Sequence, residues 1–546
     1  MICLPQELVN KFKKGLVSGE INPEKLASMT SEERRNFFSK YAGENAKDVN
    51  ALFESKLLLK NQKQGYINWA KTVAGLKPEI RRDLISRIEK MDKVLDPKDH
   101  QSFLEDLASK RLGTDVSFEE AKQIADLSHK VTQSKTSGDR MDYGRAKVAL
   151  GNYVSDLKNS NAPSFWHKSM GEKLNEVAGT SKGLKASMDN SAIFRQGWKT
   201  MFSHPGIWTK NAKETFGDMV KQFGGKAVID EVQADIQSRP TYELMKKAKL
   251  DIGTTEEQFP SHLAEKLPVF GRLYKASEAG YTGFVYKTRA DVFDKYLKIA
   301  ETSGVNITDS KQLESIAKLV NSLTGRGHLG DMGEKAAGAV NNLFFSPRFL
   351  KSNIDFLTAH QFQKGVTPFV RKQAATNLVK VIVGSASILA IANALKPGSV
   401  ETDPRSSDFG KIKIGNTRFD VTGGMGSIIT LASRLSTLST KSTVTHKVNP
   451  LNSGKFGASK GTDVLVNFAE GKLSPIAGII RDILKGQMFG GGKVTVLGEA
   501  NQLLTPLPVT NAYQAFTTPN GAPALIQIIA DALGISTNTY APFKKK

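Results

Sequence analysis

Residues 381–395 read Val-Ile-Val-Gly-Ser-Ala-Ser-Ile-Leu-Ala-Ile-Ala-Asn-Ala-Leu and contain no charged side chain. A run this long without a proline predicts a helix, and Pro397-Gly398 directly after it marks the end. Two interpretations stay open. The helix could be the buried centre of an all-α domain, or, counted from Asn377 to Leu395, its roughly 19 residues could just cross a thin membrane.

The second interpretation predicts which side chains would contact lipid. The candidates are the large aliphatic residues of the run: Val381, Ile382, Val383, Ile388, Leu389, Ile391 and Leu395. The small residues between them, such as Gly384 and Ala390, would let two helices approach closely, as an oligomeric pore requires. We therefore expect lipid contact in some functional state, and a homo-oligomer.

The charge of the chain is concentrated around this run. Residues 351–546 hold 22 Lys and Arg against 10 Asp and Glu, which is +12 of the total of +22. A region of this charge with apolar helices favours a polyanionic partner, either a lipid surface or a nucleic acid. The cations predicted to contact the anion are Arg326, Arg371, Lys372, Lys411, Lys413 and Arg418.

The remaining sequence predicts a mainly α fold, an elongated multi-domain helical protein with one small β-hairpin in its C-terminal third. Thr30 to Glu33 and Ser117 to Glu120 are typical helix starts. Alternating residues around Gly415-Asn416 predict the hairpin at 411–421. The predicted divisions are an N-terminal helical domain at 1–160, a flexible connector at 161–190, a central helical domain at 191–345, and a basic C-terminal region at 346–546 with further apolar helices at 425–438, 473–484 and 522–534.

Aromatic residues follow one another at the start of the central domain, at Phe194, Trp198, Phe202, Trp208 and Phe216. Phe194, Trp198 and Met201 have the i, i+4, i+7 spacing of one helix face, which favours a place in the core. The cations beside them, Arg195, Lys199 and Lys210, keep open the alternative of stacking on bases or lying in a lipid headgroup layer.

The sequence patterns typical of enzymes are either absent from this chain or lack a required residue or element. The single cysteine, Cys3, excludes an internal disulfide, and the eight histidines lack metal-ligand spacing. Gly490-Gly-Gly-Lys493 lacks the first glycine and the final Ser or Thr of a phosphate-binding loop. Gly179 to Gly183 and Gly457 to Gly461 match a hydrolase nucleophile motif without the buried strand before it. We predict no enzyme activity, no catalytic residue, no cofactor and no metal.

Several segments resemble parts of bacteriophage large polyvalent-type proteins, a group that includes internal virion, or DNA-ejection, proteins. The segments are Asp189-Asn-Ser-Ala-Ile-Phe-Arg-Gln-Gly-Trp-Lys-Thr200, Ser322-Leu-Thr-Gly-Arg-Gly327, Phe344-Phe-Ser-Pro-Arg-Phe-Leu350, the stretch from Asp403 to Gly424, and Leu533-Gly-Ile-Ser-Thr-Asn-Thr-Tyr540. The resemblance covers roughly residues 185–540, and no catalytic residue carries over from it.

The resemblance implies a phage internal virion protein that assists genome ejection by contact with phage DNA, the host inner membrane or both. Because the enzyme motifs are incomplete, we expect it to be non-enzymatic. Its other partners would be further virion proteins. The start, Met1 to Lys14, lacks the apolar centre of a secretory signal, so synthesis in the host cytoplasm is expected, then residence in the virion interior and contact with the host envelope during infection. One alternative is a nucleic-acid-binding protein delivered with the genome. A second is a virion-associated peptidoglycan hydrolase using a carboxylate pair such as Glu256-Glu257.

Overall fold

The computed structural model describes the chain in nine main stretches and a few isolated positions between them. The stretches are residues 5–18, 20–72, 78–91, 116–160, 192–253, 270–330, 343–453, 459–488 and 521–540. The predicted mainly α class with a small hairpin is confirmed, because the described residues are mainly α-helical with short antiparallel strands in two small sheets. The chain divides into two compact units, residues 1–162 and 163–546. The predicted connector at 161–190 lies outside the described residues except for Ser169 and Lys173.

The described part of the first unit is helical. They are α1 (Gln6–Ser18), α2 (Pro23–Ser28), α3 (Ser31–Ala42), α4 (Ala46–Thr72), α5 (Pro78–Glu89), α6 (Phe118–Ser137) and α7 (Arg140–Ser160). Both predicted helix starts are confirmed as capping boxes. The Thr30 backbone N–H donates to Glu33 Oε2 at 2.8 Å, and the Ser117 N–H donates to Glu120 Oε2 at 2.9 Å. Each pair supplies partners for amides that the first helical turn leaves unsatisfied.

Among the described residues of the first unit, two hydrophobic cores are seen. Phe38 lies among Ile21, Leu26 and Val49, with the rings of Phe12, Phe37, Tyr41 and Phe53 around it. Ile88 and Ile124, both fully buried, centre the second core, which joins α4, α5, α6 and α7.

The described part of the second unit contains twelve further helices and five strands. The helices are α8 (Trp198–Ser203), α9 (Pro205–Phe223), α10 (Val228–Ser238), α11 (Tyr242–Lys247), α12 (Phe270–Thr302), α13 (Ser310–Leu323), α14 (Pro347–Leu357), α15 (Pro368–Leu395), α16 (Gly426–Thr437), α17 (Gly461–Glu470), α18 (Pro475–Lys485) and α19 (Ala524–Ala532). The strands are β1 (Lys411–Ile414), β2 (Thr417–Asp420), β3 (Ser439–Lys441), β4 (Val448–Pro450) and β5 (Thr537–Thr539). A π-helical turn at Ala192–Gln196 precedes α8.

Helix α12 is the centre of this unit. Phe284, Tyr286 and Phe293 on it are fully buried, and α9, α10 and α13 pack around it. Lys287 of α12 forms ion pairs to α9, with Asp218 at 2.7 Å and Glu214 at 3.0 Å. The same core includes residues on both sides of the predicted boundary at 345, among them Leu319 and Val370.

The predicted hairpin at 411–421 is confirmed. β1 pairs antiparallel with β2 from Lys411↔Asp420 to Ile414↔Thr417, and Gly415 in the turn has φ +58°. β5 adds to the other edge of β2, which gives the strand order β1-β2-β5. β3 and β4 form a second hairpin. The three predicted apolar helices are confirmed as α16, α18 and α19 within a few residues.

The described parts of the segments that carry the phage resemblance meet at one place in the second unit. Phe194 N–H donates to the Leu533 carbonyl at 3.2 Å, and Gly327 N–H donates to the Arg348 carbonyl at 2.9 Å. Lys199 Nζ donates to the Ser322 carbonyl at 2.6 Å. Gly423 lies against Trp198. These segments therefore form a structural junction between helices and sheet.

Gly423 is one of the close backbone contacts in this junction. It has φ +59°, and a Cβ there would lie 2.7 Å from Trp198 Cβ. We expect Gly423→Ala to lower the free energy of unfolding by about 3 kcal/mol, because left-handed strain adds to overpacking. Gly304→Ala is the matched control, since Gly304 has φ +70° in open space, and it should cost about 1 kcal/mol. Calorimetric unfolding checks both; equal losses would contradict the importance of the Trp198 contact.

Candidate functional site

Helix α15 is a long apolar helix of the second unit that lies partly on its surface. It begins after Thr367 with Pro368 in its first turn, and 28 residues later it ends at Leu395. Val370, Ala374, Asn377 and Val381 are buried and follow the i, i+4, i+7, i+11 spacing of one helix face. Asn377 Nδ2 donates a hydrogen bond to the buried Tyr296 hydroxyl of α12 at 2.6 Å. This face attaches the N-terminal half of the helix to the core.

The middle of α15 is attached by close packing with α8. A Cβ at Gly384 would lie 2.1 Å from Phe202 Cδ1, so the glycine admits the ring directly against the helix backbone. Trp198 Nε1 donates to Ser385 Oγ at 3.0 Å. Ile388 and Leu389 continue the contact as half-buried residues. The rotation of α15 about its own axis is thereby determined.

The opposite face of α15 is apolar and open to solvent. On this face Val379 and Val383 are each 59% exposed and Ile382 is 56% exposed. Ile391 and Leu395, in the last turns of the helix, are 59% and 83% exposed. By length and composition α15 is the one helix among the described residues that could cross a membrane, and 6% of its most apolar 18-residue window is buried. The interpretation as a buried central helix therefore holds for one face, and the other face is uncovered.

The seven predicted lipid contacts divide between the two faces. Ile382, Val383, Ile391 and Leu395 are exposed, Ile388 and Leu389 are half-buried, and Val381 is 2% exposed on the inward face. Val381 therefore packs on the core and offers no surface to lipid. Val379 belongs to the outward face and was not in the predicted set. Its i, i+3, i+4 spacing to Ile382 and Val383 is the signal that identifies it.

The sequence that contains α15 has basic residues and no acidic ones. Residues 356–400 contain five Lys or Arg and no Asp or Glu. Arg371 is half-exposed in the first turns, and Lys372, Lys380 and Lys396 are exposed. The hairpin adds Lys411 and the exposed Lys413, because the Lys413 N–H donates to the Ser399 carbonyl at 2.7 Å, directly after α15. Four predicted anion contacts, Arg371, Lys372, Lys411 and Lys413, therefore lie on or next to this helix.

The other two predicted anion contacts are used inside the protein. Arg326 is 8% exposed and forms an ion pair with Asp251. Arg418 is also 8% exposed, and its Nε lies 2.8 Å from Asp408 Oδ2. Its guanidinium stacks on Tyr540, 5.2 Å from the ring centroid. Both cations stabilise the fold, and their burial leaves little charge for an outside phosphate.

The aromatic cluster is mostly core, as its spacing favours. Trp198 is 2% exposed, Phe194 packs on Trp208 with ring centroids 5.3 Å apart, and Trp208 Nε1 donates to the Ile193 carbonyl at 2.9 Å. Phe216 differs, since it is 49% exposed on α9. Stacking on bases would require exposed rings, whereas Trp198 is buried and Phe194 and Trp208 are half-buried.

Lys199 is a buried lysine of α8 with a strongly lowered pKa. It is 1% exposed, and Nζ contacts Ser322 O at 2.6 Å, Asn353 Oδ1 at 3.0 Å and Ser352 Oγ at 3.1 Å. Burial lowers the pKa of Lys199 to about 7, and Asp355 opposes the shift. A lysine of this pKa is nucleophilic when a substrate can reach it. Here α8, α13 and α14 enclose the amine, which favours a structural role.

Groups that would support other chemistry are sparse in the described residues. No three His, Cys, Asp or Glu side chains come together there as a metal-binding group. Glu256-Glu257 and Gly179 to Gly183 lie outside the described residues, as do Gly490 to Gly492 of the phosphate-loop match and Gly457 of the second hydrolase match. Comparisons of the chain with protein-family models, curated protein sequences and solved structures find no match.

The buried Lys199 predicts a measurable pH dependence of stability. Between pH 7 and 10.5 the unfolded chain keeps the proton that the folded chain has lost, so the free energy of unfolding should rise with pH, by up to about 1.4 kcal/mol per unit. Lys199→Met should remove this rise and cost about 1–3 kcal/mol, because the acceptors lose their donor. Lys213→Met, at an exposed position of α9, is the control. Urea unfolding at several pH values checks this, and parallel pH profiles for wild type and Lys199→Met would contradict it.

Proposed function

We propose that the chain is a non-enzymatic phage internal virion protein that assists genome ejection, and that the outward face of α15 contacts the host inner membrane. The observation that carries the membrane part is the uncovered apolar face of a long helix fixed to a folded core. A contiguous exposed apolar surface of this kind is costly in water and marks an interaction site. The virion part rests on the sequence resemblance.

The side chains around the face favour a negatively charged bilayer as partner. Val379, Ile382 and Val383 would enter the acyl region, with Lys372 and Lys380 exposed near them to reach lipid phosphates. Because residues 356–400 carry no carboxylate, nothing on the helix repels the anionic surface. Apolar insertion and electrostatic attraction act together there.

The inward contacts of α15 favour a helix that lies in the plane of the membrane. Crossing the bilayer would require Asn377 to leave Tyr296 and Ser385 to leave Trp198, and both polar pairs would lose their partners. Contact in the interface keeps these hydrogen bonds, since they lie on the other side of the helix. If α15 were released from the core, it would be long enough to span the bilayer, which would be a second state of the protein.

Membrane binding through α15 predicts the effect of polar substitutions. We expect Ile382→Ser with Val383→Ser to lower the partition of the protein onto vesicles of equal parts phosphatidylcholine and phosphatidylglycerol by about tenfold or more. Val220→Ser with Phe223→Ser, on the exposed side of α9, is the matched control. Flotation at low and high salt measures both. Wild-type protein that never floats would overturn the membrane part.

The same flotation assay separates the lipid partner from DNA. Binding to phosphates alone should weaken steeply as the salt concentration rises, whereas an inserted apolar face should hold the protein on the vesicle. The virion part has its own test, which is mass spectrometry of purified particles from an infected host. Absence of the chain from these particles would overturn the virion assignment without affecting the lipid result.

A further inference from the structure

His204 is a buried histidine next to the polar contact that holds α15 to the core. It lies between α8 and α9 and is 3% exposed. Its ring packs edge-on against the Tyr296 ring of α12, with the centroids 5.3 Å apart. The Tyr296 hydroxyl accepts the 2.6 Å hydrogen bond from Asn377 of α15. One imidazole therefore touches the tyrosine that attaches the N-terminal half of α15.

The polar surroundings of this ring suit a neutral imidazole. Nδ1 lies 2.9 Å from Ser203 Oγ, and that hydroxyl donates to the Lys199 carbonyl at 2.7 Å. Because the Ser203 proton is used on the carbonyl, the ring N–H at Nδ1 is the donor to Ser203 Oγ. An added proton would therefore go to Nε2 and leave the buried ring charged.

The charges that act on His204 are cations. They are Lys295 of α12 and Lys380 of α15, whereas α8 faces the ring with the Ser203 hydroxyl and no charge from α8 or α9 acts on it. Both lysines are exposed, so water screens part of their effect. Burial is the larger cause, and together they lower the pKa of His204 to about 3. The folded chain thus keeps this imidazole neutral in mild acid.

We propose that His204 makes the attachment of α15 sensitive to acid, because protonation of its ring favours a state in which α15 has left Tyr296. The charged ring would have no carboxylate as counter-ion, and it would stand beside Lys380 of α15 itself. Release of α15 opens the ring to water and separates these two like charges. The consequence at a bilayer rests on the proposed membrane function, since the released helix is long enough to span it.

The direction of the pH effect follows from the two states of the ring. Between pH 6.5 and about 3 an opened His204 binds a proton that the buried one does not, so opening becomes more favourable as the pH falls. The opening equilibrium gains at most about tenfold per pH unit, or up to about fiftyfold between pH 6.5 and 4.5. Well above pH 6.5 both states hold a neutral ring, and the attachment does not respond to pH.

The test is thiol labelling of Val381→Cys in a Cys3→Ser background, without lipid. Val381 is 2% exposed on the inward face of α15, so a reagent reaches a thiol there after the helix moves. With a disulfide reagent that reacts in acid, we expect the labelling rate, divided by that of free cysteine at each pH, to rise at least tenfold from pH 6.5 to 4.5. His204→Gln should abolish this rise, because the amide takes up no proton.

Two controls distinguish release of α15 from acid unfolding of the whole core. Val232→Cys, 3% exposed on α10, should show no rise, and an equal rise at both positions would overturn the inference. Lys380→Gln should lower the labelling rate of Val381→Cys at pH 4.5 about twofold to fivefold, the size expected for an exposed charge interaction. Lys213→Gln, exposed on α9, should leave that rate unchanged.

The remaining outcomes separate this inference from the membrane function. A rise that persists in His204→Gln would assign the response to another group, such as the buried His360, which faces Asp355, Lys199 and Lys351, and the inference would be wrong. A chain that opens in acid but never floats with vesicles contradicts the membrane function and supports the role of His204. A chain that floats at pH 7 and shows no acid response contradicts the role of His204 alone.

Discussion

The packing of Trp198 and Phe202 against α15 is the constraint on which the proposed surface depends. Phe202 occupies the space that any side chain at 384 would fill, and Trp198 holds Ser385 by a 3.0 Å hydrogen bond. Because a helix is rigid, fixing two neighbouring residues fixes the direction of every other side chain on it. Val379, Ile382 and Val383 must then face away from the core, and they remain exposed although they are as apolar as the residues inside.

Two helices of the C-terminal region also expose aliphatic side chains while polar side chains on them are buried. On α18 Asp482 is buried and its aliphatic neighbours are exposed, and on α19 Gln527 and Asp531 are buried while Leu525, Ile526 and Ile529 face outward. The buried polar groups have partners; Asp531, for example, accepts hydrogen bonds from Thr537 N–H and Oγ1. Internal satisfaction of polar groups allows such helices to fold, but each exposed aliphatic side chain forgoes roughly 1–3 kcal/mol of burial. A partner that covers these faces would recover part of this free energy.

The basic residues of the chain discussed above form two groups, one buried with partners inside the protein and one exposed on the surface. Arg326, Arg418 and Lys199 are buried with defined partners, and the segments that carry the phage resemblance meet around them. These cations hold loops and strands together. The cations near α15 are exposed, and no carboxylate lies in residues 356–400 to neutralise them. A net charge of +22 therefore says less about partners than the position of each cation does.

Local patterns in the sequence determined the elements that depend on nearby residues. The capping boxes at Thr30 and Ser117, the hairpin around Gly415-Asn416 and the helix through residues 381–395 follow from spacing and turn residues, since their hydrogen bonds join close neighbours. Strand β5 was not predictable in this way, because Thr539 pairs with Thr417 across a long stretch of chain, and the short polar strands β3 and β4 lack an alternating pattern. The sequence also identified the apolar run of α15 as a candidate contact. Only the tertiary structure decided which face of that run is open, because the answer depends on where Trp198, Phe202 and Tyr296 meet it.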